Sequence, residues 1–305
     1  MTDNIRNIFE QNIRLLKGLN QAVFCFRKQQ YDRALSFLAN RIELIKYVIE
    51  AIITDREYFN LVSTDTVMEM LSGILNAQKT RDYILLSDLL ELQLVSFLCG
   101  VQELIISKEE IVFDEEKYLE NIELLQERGD GFSGISLESI NPALLLEKGY
   151  RVEFTSCGLM TLAAENNDSQ FYFHTNSQVY TEAGILAEHW YQKEAKRFII
   201  YGLGMGYHIA ELKELALEQN IEVYEADLNV IKLACAFSNI REILNCDHVR
   251  IIYDPDYKAL KQRIDNLVST DSVHIHYPSF QNIRSIEGRE LLERFIPWSK
   301  SIESC

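Results

Sequence analysis

The chain has 305 residues, of which 47% are apolar and 25% charged, enough for about two domains that each bury a hydrophobic core. Lys and Arg together number 30 against 46 Asp and Glu, which gives a formal net charge of -16 at pH 7. This excess of acid argues against sequence-independent binding to nucleic acid and against an anionic membrane surface, since basic side chains must neutralise the phosphates of both.

The cysteines and the N-terminus give information on the compartment. Six cysteines are scattered along the chain without a CxxC pair, so neither a zinc ribbon nor a disulfide framework is indicated, and reduced thiols in a cytoplasm are the simplest interpretation. The N-terminus is polar and no apolar run approaches the roughly 18 residues of a spanning helix, so no secretory or membrane segment is predicted. The cysteines are Cys25, Cys99, Cys157, Cys235, Cys246 and Cys305.

Residues 1–134 are predicted to form an all-helical domain. Apolar residues recur three and four positions apart up to Ser107, which is typical of helix faces, and the stretch from Tyr83 to Ile106 is apolar over an arc wide enough for the centre of a bundle. These faces fit either an internal core or a homo-oligomer. The acidic, glycine-bearing segment 108–134 is predicted to be a connector. One stripe expected on a single helix face is Leu35, Leu38, Ile42, Ile45, Ile49 and Ile52.

The fold class predicted for the second half is α/β. Residues 135–180 are predicted to be a small β-rich connector with an antiparallel meander. Residues 181–305 alternate strand and helix, which indicates βαβ crossovers and a Rossmann-like, mostly parallel sheet. The predicted strands are 150–155, 159–163 and 170–173 in the meander, and 197–201, 221–225, 249–253 and 272–276 in the parallel sheet.

The sharpest motif is a glycine turn, in which Gly202, Gly204 and Gly206 follow an apolar strand and precede an amphipathic helix. Glycines at such a turn let the backbone bend sharply and let a ligand approach, and the next helix offers free N–H groups at its N-terminus. The pattern indicates a nucleotide or another adenosine-bearing ligand. Tyr207 stands where a dinucleotide fingerprint has its third glycine, which weakens the NAD interpretation.

Acidic residues end the next two predicted strands. Because the C-terminal ends of parallel strands share one edge, Glu225 and Asp254 are expected beside the glycine turn, where Glu225 can accept hydrogen bonds from a ribose diol. In the alternative interpretation, Gly204 and Gly206 only permit tight packing and Glu225 or Asp254 caps the helix that follows it.

All six histidines lie in the second half of the chain. His276, followed by Pro278, ends the last predicted strand at the same edge, where it can serve as acid, base or hydrogen-bond donor, or simply bond to backbone groups. His274 shares a strand face with it, but no third ligand is evident and no metal site is predicted. His174 begins a polar junction that leads to Glu182, and this junction either forms the start of a helix or overhangs the glycine turn.

Taken in order, these motifs resemble those of the motility-associated-factor (Maf) proteins, which are flagellin glycosyltransferase-like, and of the related archaeal pterin pyrophosphokinases of the MptE type. That family shows an H-S-x-Y-D-P-x-x-E-A segment, a G-x-G-x-G-Y-H turn, an acidic strand end and a His-Pro element. The resemblance covers residues 141–285. The matching residues are His174, Glu182, Ala183, Gly202, Gly204, Gly206, Tyr207, His208, Glu225, His276 and Pro278.

The resemblance implies a transferase that uses a nucleotide-activated sugar, a nonulosonic acid carried on CMP, and delivers it to a hydroxyl group of a flagellin-like or other surface protein. It implies that the nucleotide lies on Gly202–Gly206 and that the amides of this turn hold the phosphate charge. The residues that it implies around the sugar, where they would assist departure of the phosphate, are His174, Glu182, Asp254 and His276.

Two other functions remain open. An S-adenosylmethionine-dependent methyltransferase has a similar glycine turn and an acid at the next strand end, which hold the methionine and the ribose. The third interpretation is a sheet domain that has lost its activity and serves as a binding or scaffolding module, with the helical domain as contact surface. The motif departures between His174 and Glu182 motivate it, since Thr175 and Gln178 replace the family's Ser and Asp.

Overall fold

A computed structural model describes residues 1–109, 114–136, 141–166 and 169–296. Residues 110–113 of the predicted connector, residues 167 and 168 of the predicted meander turn, and Cys305 lie outside the described residues. By its contacts the chain divides into two units. Among the described residues, the helical unit comprises 1–109, 154–159 and 177–181, and the sheet unit comprises 114–136, 141–153, 160–166, 169–176 and 182–296.

The helical unit contains the predicted helices, with starts that the sequence explains. Side-chain oxygens of Thr2, Ser63 and Asp82 accept backbone N–H groups in the first turns of the helices that follow them. The helices are α1 (Asp3–Arg27), α2 (Tyr31–Ala39), α3 (Ile42–Thr54), α4 (Thr64–Thr80), α5 (Tyr83–Leu89), a π-helical segment (Leu90–Val95) and α6 (Ser96–Lys108).

One predicted stripe is divided in the structure. The positions from Leu35 to Ile52 do not share one helix, because α2 ends at Ala39 and α3 starts at Ile42, whose side chain is half exposed. Asn40, which ends α2, belongs to the residue types that favour helix ends over helix interiors. Spacing alone does not reveal such a break, since two helices can continue the same periodicity.

The stretch Tyr83–Lys108 supplies the centre of the helical unit. Leu86, Leu90, Leu94 and Leu98 are fully buried in its core. By length and composition this is also the one described helical stretch that could cross a membrane, with a mean hydropathy of 1.8 and 33% of its most apolar window buried. A core helix of a globular protein passes the same criterion, so the absence of a membrane partner stays a prediction.

The sheet unit holds the remaining elements, and its core lies on both faces of a parallel sheet. The segment predicted to be a connector contains a helix, Glu115–Arg128, because Asp114 accepts the N–H of Lys117 at its start and Ile122 and Leu125 are buried. Its helices are α7 (Glu115–Arg128), a 3-10 segment (Pro142–Lys148), α8 (Val179–Trp190), α9 (Tyr207–Leu215), α10 (Leu228–Phe237), α11 (Ile240–Leu244), α12 (Lys258–Asp265), α13 (Tyr277–Gln281) and α14 (Ile286–Glu293). Its strands are β1 (Tyr150–Phe154), β2 (Met160–Asn166), β3 (Ser169–Tyr172), β4 (Arg197–Tyr201), β5 (Asn220–Glu225), β6 (Val249–Tyr253) and β7 (Asp271–Ile275).

The predicted parallel sheet is present, with the strand order β6-β5-β4-β7. Ile200 of β4 packs into the core on one face, and its neighbour Ile199 packs into the core on the other. This double burial accounts for the continuous apolar runs of these strands. Tyr201 pairs with Tyr224 of β5 and with Ile275 of β7, so the strands end together at one edge.

The small sheet has the order β1-β2-β3, with β2 and β3 antiparallel. Its side chains share a core with the glycine turn and α10, in which Phe173 and Leu162 contact the same cluster as Met205 and Val230. The small sheet therefore lies over the C-terminal edge of the parallel sheet.

Two leucines in the π-helical segment provide a test of the core. Leu94 is fully buried, whereas Leu92 is 67% exposed. We expect Leu94→Ala to lower the free energy of unfolding by about 2–5 kcal/mol, because it removes apolar contacts and leaves a cavity. Leu92→Ala should change it by less than about 0.5 kcal/mol. Urea denaturation followed by circular dichroism measures both, and equal effects would contradict the packing described here.

Candidate functional site

The glycine turn connects β4 to α9 with a backbone that favours glycine. Gly202, Gly204 and Gly206 have φ angles of 104°, 50° and 81°, all in the left-handed region. The N–H of Gly202 still donates to the carbonyl of Tyr224, so the turn begins directly at the end of the β ladder.

The protein's own side chains occupy the space that the glycines leave. A Cβ on Gly204 would lie 2.8 Å from Nε2 of His174 and 3.2 Å from Cε1 of His276. A Cβ on Gly202 would lie 2.4 Å from both Cβ and Oγ of Ser279. Close internal packing at Gly204 agrees with the alternative interpretation of the sequence, and Gly202 is packed closely as well.

Two amides of the turn donate to side chains. The N–H of Leu203 donates to Oε2 of Glu225 at 3.0 Å, and the N–H of Met205 donates to Nε2 of His174 at 3.1 Å. Both amides are buried. A phosphate on this turn would have to replace these side chains as acceptor.

Three histidines come together at the turn from three different elements. His174 follows the small sheet, His208 lies in the first turn of α9, and His276 follows β7. All three are at most 2% exposed. The rings of His208 and His276 stack with centroids 4.3 Å apart and planes 11° apart, and the ring of His174 lies 5.0 Å from that of His276.

Each of these rings has a partner at one nitrogen. Nδ1 of His174 lies 3.3 Å from Oε1 of Glu182, whose other oxygen accepts the N–H of Thr175 at 2.7 Å. Nε2 of His208 lies 3.1 Å from the Gly202 carbonyl. Nδ1 of His276 lies 2.8 Å from Oγ of Ser279. Among the described residues, Nδ1 of His208 and Nε2 of His276 make no hydrogen bond of normal geometry.

The surroundings keep two of the rings neutral. Burial, followed by the nearby His174, lowers the pKa of His208 to about 3, against the opposing effect of the Gly202 carbonyl. Burial, followed by the two neighbouring histidines, holds the pKa of His276 well below its ordinary value, against an opposing effect of the Phe173 carbonyl.

Glu225 lies at the predicted edge, but its carboxylate bonds to the backbone. Besides the N–H of Leu203, it accepts the N–H of Asp227 at 3.0 Å, and the residue is 2% exposed. Burial raises its pKa to about 7 against the opposing effect of these amides. The carboxylate therefore holds two loops together at the C-terminal edge of the sheet.

Asp254 follows β6 and has a helix-capping role. Its Oδ2 accepts the N–H of Leu260 in the first turn of α12 at 2.8 Å, and the residue is 7% exposed. This contact corresponds to the capping alternative considered for the strand-end acids.

The structure brings together the two ends of the polar junction, His174 and Glu182, but it separates His274 from His276. His174 and Glu182 meet, and they lie at the glycine turn. His274 does not join His276, since its Nε2 lies 2.7 Å from Oγ of Ser272 and its ring stacks on Trp190. Tyr207 donates its hydroxyl to the carbonyl of Met160 in the small sheet.

Sequence reasoning misses several members of this site. His208 was visible only as the last residue of the G-Y-H motif, and Ser279 had no signal. Asp227 forms a second polar group, in which it accepts the side chains of Asn282, at 3.1 Å, and Tyr150. Tyr150 of β1 and Asn282, which directly follows α13, meet there, a pairing that no local pattern indicates.

Comparison with known proteins adds little on function. Residues 3–104 match a sequence family described as Domain of unknown function (DUF8042). No curated protein sequence matches the chain. Among solved structures, the crystal structure of MnmC2 from Aquifex aeolicus is similar at 15% identity, over 57% of this chain and 59% of that chain, with a TM-score of 0.24. A TM-score this low supports no statement on shared fold or activity.

The buried carboxyl group predicts a pH dependence of stability. Because the pKa of Glu225 is raised from 4.5 to about 7 on folding, the folded chain binds more protons than the unfolded chain between these values. The free energy of unfolding should therefore fall from about pH 5 to about pH 8, by roughly 3 kcal/mol more in the wild type than in Glu225→Gln. Urea denaturation at both pH values measures this difference, which should be near zero if the carboxyl titrates normally.

Alanine substitutions at two glycines can distinguish the cost of backbone strain from the cost of steric overlap. Gly202 and Gly149 both have left-handed backbones, with φ angles of 104° and 90°, but a Cβ on Gly149 would meet no atom within 4 Å. Both alanine variants should lose about 1–3 kcal/mol from strain. Gly202→Ala should lose about 1–3 kcal/mol more, because its methyl group meets Ser279. Thermal or urea denaturation compares them, and equal losses would contradict the close approach of α13.

Proposed function

We propose that the sheet unit is a Rossmann-like domain that binds a nucleotide-activated sugar and transfers the sugar to a protein hydroxyl group, as the resemblance to the Maf proteins implies. The observation that carries the proposal is the position of the polar cluster in the strand order. The chain passes from β4 to β5 on one side, while β7 lies on the other side of β4. Open α/β sheets bind ligands at such a reversal.

The roles proposed for the residues follow from this position. The glycine turn after β4 and His276 after β7 flank the reversal, and His174 lies against both. We assign the nucleotide to Gly202–Gly206 with Glu225 at its ribose, and the departing phosphate to His174, oriented by Glu182, and to His276. Asp254 keeps its capping role, because its carboxylate is bonded to the start of α12.

The ligand must compete with internal contacts. A phosphate oxygen that accepts the Met205 N–H takes the place of His174 Nε2, and one that accepts the Leu203 N–H takes the place of Glu225. Such an exchange keeps both buried amides bonded, which avoids a penalty of about 1–3 kcal/mol for each unsatisfied group.

A second candidate is a binding module without catalysis. The same two amide contacts favour it, because a turn whose donors are already bonded is complete without a ligand. In this function the glycines serve packing alone.

A thermal-shift panel tests these functions. A ligand present at a hundred times its dissociation constant stabilises the folded chain by about 2.7 kcal/mol. We expect CMP, CDP and a CMP-linked nonulosonic acid to raise the melting temperature and S-adenosylhomocysteine to have no effect. A rise in melting temperature with S-adenosylhomocysteine alone would indicate a methyltransferase instead. No rise with any of these ligands would favour the binding module.

Variants localise the response. Glu182→Gln should reduce the shift given by the CMP-linked sugar, because Glu182 orients His174. His189→Asn is the matched control, since His189 lies on the same helix, α8, but is exposed. An equal loss of the shift in both variants would place the ligand elsewhere.

A further inference from the structure

The three buried histidines share a pattern of bonded and free nitrogens. In each ring, one nitrogen has a protein partner: the Glu182 carboxylate for His174, the Gly202 carbonyl for His208, and the Ser279 hydroxyl, which can donate or accept, for His276. A carboxylate and a carbonyl can only accept, so His174 carries its proton on Nδ1 and His208 carries it on Nε2. The other nitrogen of each of these rings presents a lone pair.

The opposite nitrogens of the three rings have few hydrogen-bond partners. Nε2 of His174 accepts only the N–H of Met205, while Nδ1 of His208 and Nε2 of His276 are buried without a hydrogen-bond partner of normal geometry among the described residues. Buried polar atoms are rarely left unpaired. One ring nitrogen from each histidine lies within 4.8 Å of the others.

We propose that His174, His208 and His276 are the protein ligands of a zinc-class divalent metal ion. Neutral imidazoles suit Zn²⁺ and its neighbours, and three protein ligands leave a fourth position for water or a substrate oxygen. The contacts at the opposite nitrogens of His174 and His208, a carboxylate and a backbone carbonyl, are those that metal-bound histidines usually make, and they fix the orientation and tautomer of a ligand ring.

Metal binding requires a small rearrangement of the rings. Zinc–nitrogen bonds of about 2.0–2.1 Å in a tetrahedron place the nitrogens about 3.3 Å apart, closer than the present limit of 4.8 Å. The stacked rings of His208 and His276 must rotate, because a lone pair lies in its ring plane and two parallel planes do not meet at one ion. His276 must carry its proton on Nδ1, where the Ser279 hydroxyl accepts it.

The space for this rearrangement lies at the glycine turn. The absence of a side chain at Gly204 is what allows His174 and His276 to approach each other there. The fourth coordination position of the metal would then lie at the sheet edge where the phosphate is proposed to bind. Phosphate oxygens suit a divalent ion. The metal site does not rest on that assignment, since the three nitrogens converge without a nucleotide.

Metal analysis of the untagged full chain tests the proposal. We expect protein expressed with zinc and purified without chelator to retain about one zinc ion per chain. Three variants each remove the inferred ligand nitrogen but keep an amide group close to the position of the ring nitrogen that bonds to the protein. They are His174→Asn, His208→Gln and His276→Asn. Each should lower the zinc content to below about a tenth of an ion per chain, whereas His189→Asn should leave it unchanged.

Cobalt provides a measurement that needs no variant. Wild-type protein refolded with Co²⁺ should show the intense visible absorption of a tetrahedral nitrogen-ligated ion, and Zn²⁺ should abolish it. Absence of stoichiometric zinc together with absence of this absorption would overturn the proposal. It would also be overturned by unchanged zinc content in variants that circular dichroism shows to be folded. Both measurements omit nucleotide, so failure of the CMP response leaves this result unaffected.

Discussion

The close approach of His174 and His276 to the Cα of Gly204 is the constraint on which the rest of the site depends. No side chain fits between them, since a Cβ at this position would lie 2.8 Å from a ring nitrogen. The contact connects three parts of the sheet unit: the small sheet that precedes His174, the turn after β4 and the end of β7. Once these parts are held together, His208 in the first turn of α9 stacks on His276.

The burial of this cluster determines its chemistry. Imidazoles removed from water lose their charge, so the pKa values of His208 and His276 fall. Glu225 shows the same effect with the opposite sign, because burial raises the pKa of a carboxyl group. The cluster thus combines the neutral rings of His208 and His276 with the Glu182 side chain, which remains partly accessible. The neutral ring nitrogens can bind a metal ion. The neighbouring backbone amides can bind a phosphate if its oxygens replace their present acceptors.

The helical unit is stabilised mainly by the burial of apolar side chains. Its central stretch buries a leucine roughly once per turn, and the remaining apolar positions extend around the helix to the surface, as Ile84 and Leu92 show. The same composition that fills the core therefore resembles a membrane segment when counted without regard to face. The periodicity of burial distinguishes the two environments only when neighbouring helices are known.

The sequence by itself determined the helical first half, the strand–helix alternation of the second half and the collection of Gly204, Glu225 and His276 at one sheet edge, because these depend on local periodicity and on the common direction of parallel strands. It could not determine which side chains fill the glycine turn. Glu225 bonds amides, and His208 and Ser279 join His276, through contacts between segments far apart in the chain. Only the tertiary structure decided these contacts, since the same glycines permit a ligand or a histidine to approach, and packing of the small sheet over the edge selects the histidine.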